Sequence, residues 1–243
     1  MNDVLCVIPA RGGSKGLPSK NLRSLGGLPL IAHSILLAQR CPDVARVVVS
    51  TDSREIASTA REFGAEVPFM RPAELAEDET AMWPVIRHAV HQLADSAFQH
   101  VLLLDPTTVG RLPGDIAGAA SRLRSTPDAD GIVGVSQPDF NPLWHCVVDR
   151  GGWMVDLFEH AARYKRRQDV PVIYRINASL YLWRREYVER SVEAEGWRQG
   201  RLLMFEVPDW RIVHIDTAHE FERVELLVRH RVIELPWIDQ PVA

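Results

Sequence analysis

The chain has little cysteine: Cys6, Cys41 and Cys146 are scattered, odd in number and outside any Cys-x-x-Cys spacing. That excludes a disulfide framework, argues against a zinc site and fits a reducing cytoplasm. No stretch of about 18 apolar residues occurs, and no basic N-terminal region leads into a long apolar run. The expectation is an unsecreted protein with no membrane segment. A basic excess is missing as well. With 28 Lys and Arg against 32 Asp and Glu the formal net charge is −4, which argues against nucleic acid or a membrane surface as partner, because holding a polyanion rests on positive charge. Repeats, low-complexity tracts and linkers rich in Pro, Gly and Ser are also lacking. A length of 243 residues with 46% hydrophobic content then fits one sizeable α/β domain spanning 1–243.

What is present begins at once. Val4-Leu5-Cys6-Val7-Ile8-Pro9 is apolar and rich in β-branched residues, the pattern of a strand buried on both faces in a parallel sheet. After it come Arg11, Gly12, Gly13, Ser14, Lys15, Gly16 and Lys20. Glycines let backbone N–H groups converge and the cations add charge, so such a loop attracts phosphate; the bland alternative is a surface loop with solvated lysines. It is no Walker loop, since Lys15 precedes Gly16 instead of following it. Nor is it the dinucleotide fingerprint, because Arg11 stands where the first glycine belongs. A dinucleotide oxidoreductase of similar topology is thereby disfavoured.

Along the chain, apolar spacing predicts helices from Pro29 to before Cys41, from Ser53 to Gly64, through Met82–Leu93, and from Thr217 to about Ile233. Strands are predicted at Arg46–Ser50, Val101–Leu104, Gly131–Val135, Leu202–Val207 and Arg211–Ile215. Strand and helix alternating at this interval predict a Rossmann-like, mainly parallel sheet flanked by helices, with ligands beyond the carboxyl ends of the strands. From 131 to 183 the rhythm breaks: Trp144–Val148, Gly151-Gly152 and Ser179–Trp183 read as hairpin or mixed-sheet material, and a projecting β-rich arm is expected at about 140–174. Asp52, at a strand end, is placed to meet a ribose hydroxyl or a metal, although capping the next helix is the commoner role. Thr217 and Glu220 have capping-box spacing, which leaves Asp216 unexplained. Tyr164–Pro171 by itself reads as a solvated charge run.

The segment IPARGGSKGLPSKN resembles the opening signature of the N-acylneuraminate cytidylyltransferase family, the sugar nucleotidyltransferases that activate acidic sugars with CTP. Four further blocks follow in the family's order: FMRPAELA, LDPTT, RRQDVP with YRINASLY, and HIDT. The resemblance covers nearly the whole chain. It implies nucleotide contacts at Ala10, Arg11, Gly12, Gly13, Ser14, Lys20, Asn21 and Arg71, and sugar contacts at Asp105, Thr107, Thr108, Arg167, Arg175 and Asn177. Arg11, Lys20 and Asp216 are the implied catalytic set. It further implies a divalent metal, magnesium, held at Asp216, and a homodimer built through the arm. The implied reaction joins CTP to a free acidic sugar, sialic acid or a related nonulosonate, and releases pyrophosphate. The alternatives are 3-deoxy-manno-octulosonate as acceptor and a noncatalytic binding homologue.

Several positions depart from the family pattern. Asp105 replaces a glutamine, Ala178-Ser179 replace Gly-Ala, and His214 replaces the first of two metal-binding aspartates. Magnesium prefers oxygen ligands while imidazole suits manganese and softer ions. Either His214 points away and magnesium keeps more water, the favoured outcome, or His214 ligates and manganese is preferred.

Overall fold

The computed structural model describes residues 2–13, 16–159, 161–192 and 196–238. Strand β1 (Val4–Pro9) is buried throughout. A tight hairpin, β2 (Ser24–Leu25) and β3 (Leu28–Pro29), turns at Gly26 and Gly27, both at positive φ, and leads into α1 (Leu30–Gln39). Then come β4 (Val44–Ser50), α2 (Arg54–Glu62), α3 (Met82–Gln92), β5 (His100–Leu103), β6 (Thr108–Val109) and α4 (Pro113–Arg124). The second half holds β7 (Gly131–Ser136), α5 (Pro142–His145), β8 (Val147–Arg150), β9 (Trp153–Asp156), β10 (Arg175–Arg184) and α6 (Arg185–Arg190). It closes with β11 (Leu202–Glu206), β12 (Val213–His214) and α7 (Ala218–Arg229).

A six-stranded sheet has the order β11-β7-β10-β5-β1-β4. All of its strands run one way except β10, which is antiparallel to both neighbours. The expected mainly parallel sheet is therefore present, with β1 inside it. Because side chains alternate along a strand, Val4, Cys6 and Ile8 of β1 join a core with α1, α4 and α7, while Leu5 and Val7 face α3 and α6. Trp83 anchors the second face. It packs edge-on to Trp183 at 5.0 Å between ring centroids, and its indole N–H donates to the Ser191 carbonyl at 3.0 Å. Burying a side chain of this size is worth roughly 1.5–3 kcal/mol.

The structure adds to the predicted elements and trims them. Helix α4 was not foreseen, although Pro113 at its first turn and Ile116, Ala119, Ala120 and Leu123 on its buried face carry a helical pattern. Helix α7 stops at Arg229, short of Ile233. The chain turns through Arg231, at φ +56°, so that Ile233, Leu235 and Trp237 return to the core. The last expected strand shrinks to β12, which pairs with β6 in a ribbon outside the main sheet. In the arm region, β8 and β9 form a hairpin around Gly151-Gly152, both at positive φ as a tight two-residue turn requires. Its Trp153 and Met154 are each 78% exposed.

Candidate active site

Strand β1 delivers the chain to the carboxyl edge of the sheet, where the glycine loop is fastened at several points. The Ala10 N–H donates to the Ser50 carbonyl at 3.0 Å. The Gly12 N–H donates to Asp52 Oδ1 at 2.9 Å, and Asn21 Nδ2 donates to the Arg11 carbonyl at 3.2 Å. Asp52 thus holds the loop; the α2 cap is its neighbour Ser53, whose hydroxyl accepts from the Ile56 N–H at 3.4 Å. Gly16 lies so close to Asp216 that an added Cβ would stand 2.4 Å from the Asp216 carbonyl oxygen. Lys20 Nζ reaches Asp216 Oδ1 at 2.9 Å. The first and last family-like blocks, separated by most of the chain, therefore meet.

Beside them Arg71 is buried, 6% exposed. Its guanidinium donates to the Ser50 carbonyl, to Ser50 Oγ at 3.2 Å and to the Leu75 carbonyl at 3.4 Å. Burial pulls its pKa down to about 10, which leaves it cationic at neutral pH. Asp105 closes a turn on itself, accepting from the Thr107 N–H at 3.0 Å and the Thr107 hydroxyl at 2.8 Å. From below, buried Arg111 donates to the Asp105 carbonyl at 2.9 Å and to Ser34 Oγ at 2.7 Å. Arg111 escaped the sequence reading, because an isolated arginine gives no sign that it will be buried.

Arg11, Lys20, Asn21, Arg71, Asp105, Thr107 and Asp216 all line one cleft of about 280 Å³. Glu77, Asp78 and Thr80 also line it, with the apolar Pro9, Leu75, Met82 and Val85. Gly12 and Gly13 sit exposed at the loop, and Ser14 lies outside the described residues. Four of the expected sugar contacts are elsewhere. Thr108 is buried with its hydroxyl 3.1 Å from His214 Nδ1. Arg167 is exposed in a short 3-10 turn, and Arg175 is held by Asp209 through Nε at 2.7 Å and Nη2 at 2.6 Å. Asn177 is fully buried, donating to Ser136 Oγ at 2.7 Å and accepting from the Ser179 N–H at 3.0 Å. His214 faces Thr108 from β12, and burial pulls its pKa below the ordinary histidine value.

A second pocket of about 170 Å³ opens beside the cleft and shares Met82 and Asp105 with it. Its wall is aromatic, from Trp83, Tyr181, Trp183 and Trp197. Tyr181 stacks on Trp183 at 5.6 Å and meets Trp197 edge-on at 5.4 Å. An apolar pocket joined to a charged cleft suits a ligand that is ionic at one end and apolar at another.

A mainly parallel sheet whose buried first strand opens into a glycine-rich basic loop, with cations at the strand ends, is the architecture of an α/β nucleotide-binding protein. The family model for cytidylyltransferases matches residues 5–117. The CMP-N,N'-diacetyllegionaminic acid synthase of Campylobacter jejuni is 35% identical over 231 residues, covering 94% of this chain and 96% of the relative. The pseudaminic acid cytidylyltransferase of the same species is 39% identical over 233 residues, covering 93% and 96%. The fold agrees with the solved structure of a CMP:2-keto-3-deoxy-manno-octonic acid synthetase complexed with CTP, at a TM-score of 0.71 and 20% identity over 94% of this chain and 99% of that one. The chain belongs to the cytidylyltransferase family, whose members are enzymes of the nucleotidyltransferase class.

Proposed function

We propose that this chain makes a CMP-activated nonulosonate from CTP and the free acidic sugar. The observation that carries the reading is the single cleft in which Arg11, Lys20, Asn21 and Arg71 meet Asp105 and Asp216. The named relatives act on sugars of this class, which supports the acceptor. In the reaction the anomeric hydroxyl of the sugar attacks the α-phosphorus of CTP. One P–O bond forms, the bond to the β-phosphate bridge breaks, and the hydroxyl proton passes to solvent as pyrophosphate leaves. Such chemistry asks a protein mainly for alignment and charge neutralisation. Arg11 and Lys20 hold the outer phosphates, Asn21 and Arg71 the nucleoside end. Asp105 and Thr107 accept and donate hydrogen bonds to the sugar.

The aromatic pocket next to Asp105 favours acceptors with an acylamino substituent, since an acyl methyl gains from leaving water while its N–H finds the carboxylate. That separates acylated nonulosonates from 3-deoxy-manno-octulosonate, which has no such group. Magnesium fits the cleft's oxygen donors, with Asp216 as its protein ligand; manganese would call on His214, whose Nδ1 is engaged with Thr108. When bound, the metal would neutralise charge on the departing pyrophosphate. The exposed arm, with Trp153 and Met154 beside its turn and Arg166 and Arg167 later in the same segment, is the dimer face of this reading, and CTP as substrate fits a cytoplasmic enzyme.

The test is pyrophosphate release by the parent and by Asp216→Ala with CTP, magnesium and an acylated nonulosonate. Loss of turnover with an unchanged melting temperature is expected, because the Thr217–Glu220 cap of α7 stays intact. An active Asp216→Ala protein would remove Asp216 from the reaction.

A further inference from the structure

Three donors of the glycine loop already touch a carboxylate. The Gly12 N–H meets Asp52, Lys20 meets Asp216, and Arg11 Nη1 meets Asp78 Oδ1 at 2.5 Å. These contacts differ in kind. Asp52 joins the loop to a strand end, and Asp216 belongs to the catalytic set. Asp78 comes from the segment between Arg71 and α3, which also lines the cleft.

That segment is held near the cleft. The Thr80 hydroxyl donates to the Glu74 carbonyl at 3.1 Å, and Arg71 donates to the Leu75 carbonyl. The Arg11–Asp78 pair itself is open, with the two side chains 33% and 36% exposed. Water and incoming anions reach such a pair, and screening makes it weak enough to exchange. We propose that Asp78 is a resident counter-ion of Arg11 that the outer phosphates of the nucleotide must displace, and that by returning to Arg11 after the reaction it helps expel pyrophosphate.

The physical reason is competition for one guanidinium. A ligand gains from Arg11 only the difference between its own attraction and that of Asp78. A triphosphate brings charge enough to win the exchange, whereas a monophosphate seated on the nucleoside side leaves the pair standing. Once the α–β bond is cut, pyrophosphate keeps Arg11 only against a tethered carboxylate that returns to it. Asp78 touches no reacting atom in this account; it acts through Arg11.

The inference rests on reading Arg11 as a ligand of the outer phosphates, and the experiment separates the two. Titration calorimetry with CTP, CMP and pyrophosphate is run on the parent, Asp78→Asn, Arg11→Ala and the double variant. Asp78→Asn is expected to tighten CTP and pyrophosphate by up to about fivefold, to leave CMP unchanged, and to lose its effect in the Arg11→Ala background and at high salt. If Arg11→Ala binds CTP like the parent, the Arg11 reading itself fails. If Arg11→Ala weakens CTP but Asp78→Asn leaves pyrophosphate unchanged or weaker, the Asp78 proposal alone fails. Equal tightening of all three ligands would reduce Asp78 to a general field and overturn its role as the counter-ion of Arg11.

Discussion

Lys20 links the glycine loop to Asp216, at the far end of the chain. Its side chain is only 12% exposed and its amine is set against Asp216. Removing a charge-assisted contact of this kind costs on the order of 1.5–3 kcal/mol. Lys20→Ala is therefore expected to weaken CTP binding by that amount in titration calorimetry, and an unchanged affinity would take Lys20 out of the triphosphate site. Lys20, Arg11 and Asn21 were legible because a buried strand followed by glycines and cations is itself a chemical statement. Asp78 was not: in Glu77-Asp78-Glu79 an aspartate looks like any solvated carboxylate, and only the fold brings it across to Arg11. Asp52 was read chiefly as a helix cap because two capping residues stand side by side. The position of Gly12 decides between them, and that is tertiary information.

At the scale of elements, β10 carries strain next to the aromatic pocket. The register between β10 and β7 slips between Ile176 and Tyr181, and Ala178 takes φ +49°, the left-handed region that disfavours a side chain with a Cβ. Asn177 is locked beneath it, and Gly134 faces it so closely that an added Cβ would stand 2.0 Å from Ser179 Oγ. Left-handed backbone costs a non-glycine residue roughly 1–2 kcal/mol. Part of the gain on relieving it is offset by glycine's freedom in the unfolded chain, so Ala178→Gly is expected to raise stability by up to about 1 kcal/mol. Calorimetry should show a melting point a few degrees higher, and a lower one would mean that the alanine methyl packs better than the strain costs. The parallel strands were legible from continuous apolar runs. The break in direction at β10 was legible only in outline: Ser179–Trp183 reads as hairpin or mixed-sheet material, but a buried run does not say which neighbours it pairs with. Helix α4 was readable from its own spacing, but its neighbours' polar turns hid it.

For the whole molecule, acid is the first threat. His33, His88, His100 and His214 all have pKa values below the ordinary histidine value, with burial the main cause in each. His33 is the deepest case, lowered to about 4. Its Nδ1 accepts from the Trp237 indole at 2.8 Å and its Nε2 pairs with the Leu25 carbonyl at 2.9 Å, which fixes the neutral ring and ties the chain after α7 to α1. The unfolded chain takes up the proton first, so this stability is full above about pH 6.5 and falls as pH drops toward 4; the 6.5-to-4 shift corresponds to about 3 kcal/mol. Urea midpoints against pH should slope less in His33→Gln across that window. An identical slope would place the acid sensitivity on the other histidines.

Assembly is decided at the same scale. Trp153, Met154, Leu157 and Phe158 are exposed apolar side chains on or beside one hairpin, and a patch of this kind on a folded chain calls for a cover. Light scattering is expected to find a dimer for the parent and a monomer for Trp153→Glu. A monomeric parent at working concentration would remove the arm as an interface.

Every role proposed for the cleft depends on the coupling of CTP to an acidic sugar. The direct measurement is pyrophosphate release from CTP and magnesium against a panel of sialic, legionaminic and pseudaminic acids and 3-deoxy-manno-octulosonate, with the nucleotide product identified. Release is predicted with at least one acylated nonulosonate, forming its CMP-sugar, and little with the octulosonate, which leaves the pocket of Trp83, Tyr181 and Trp197 unfilled. CTP binding with no pyrophosphate released from any of these sugars would contradict it.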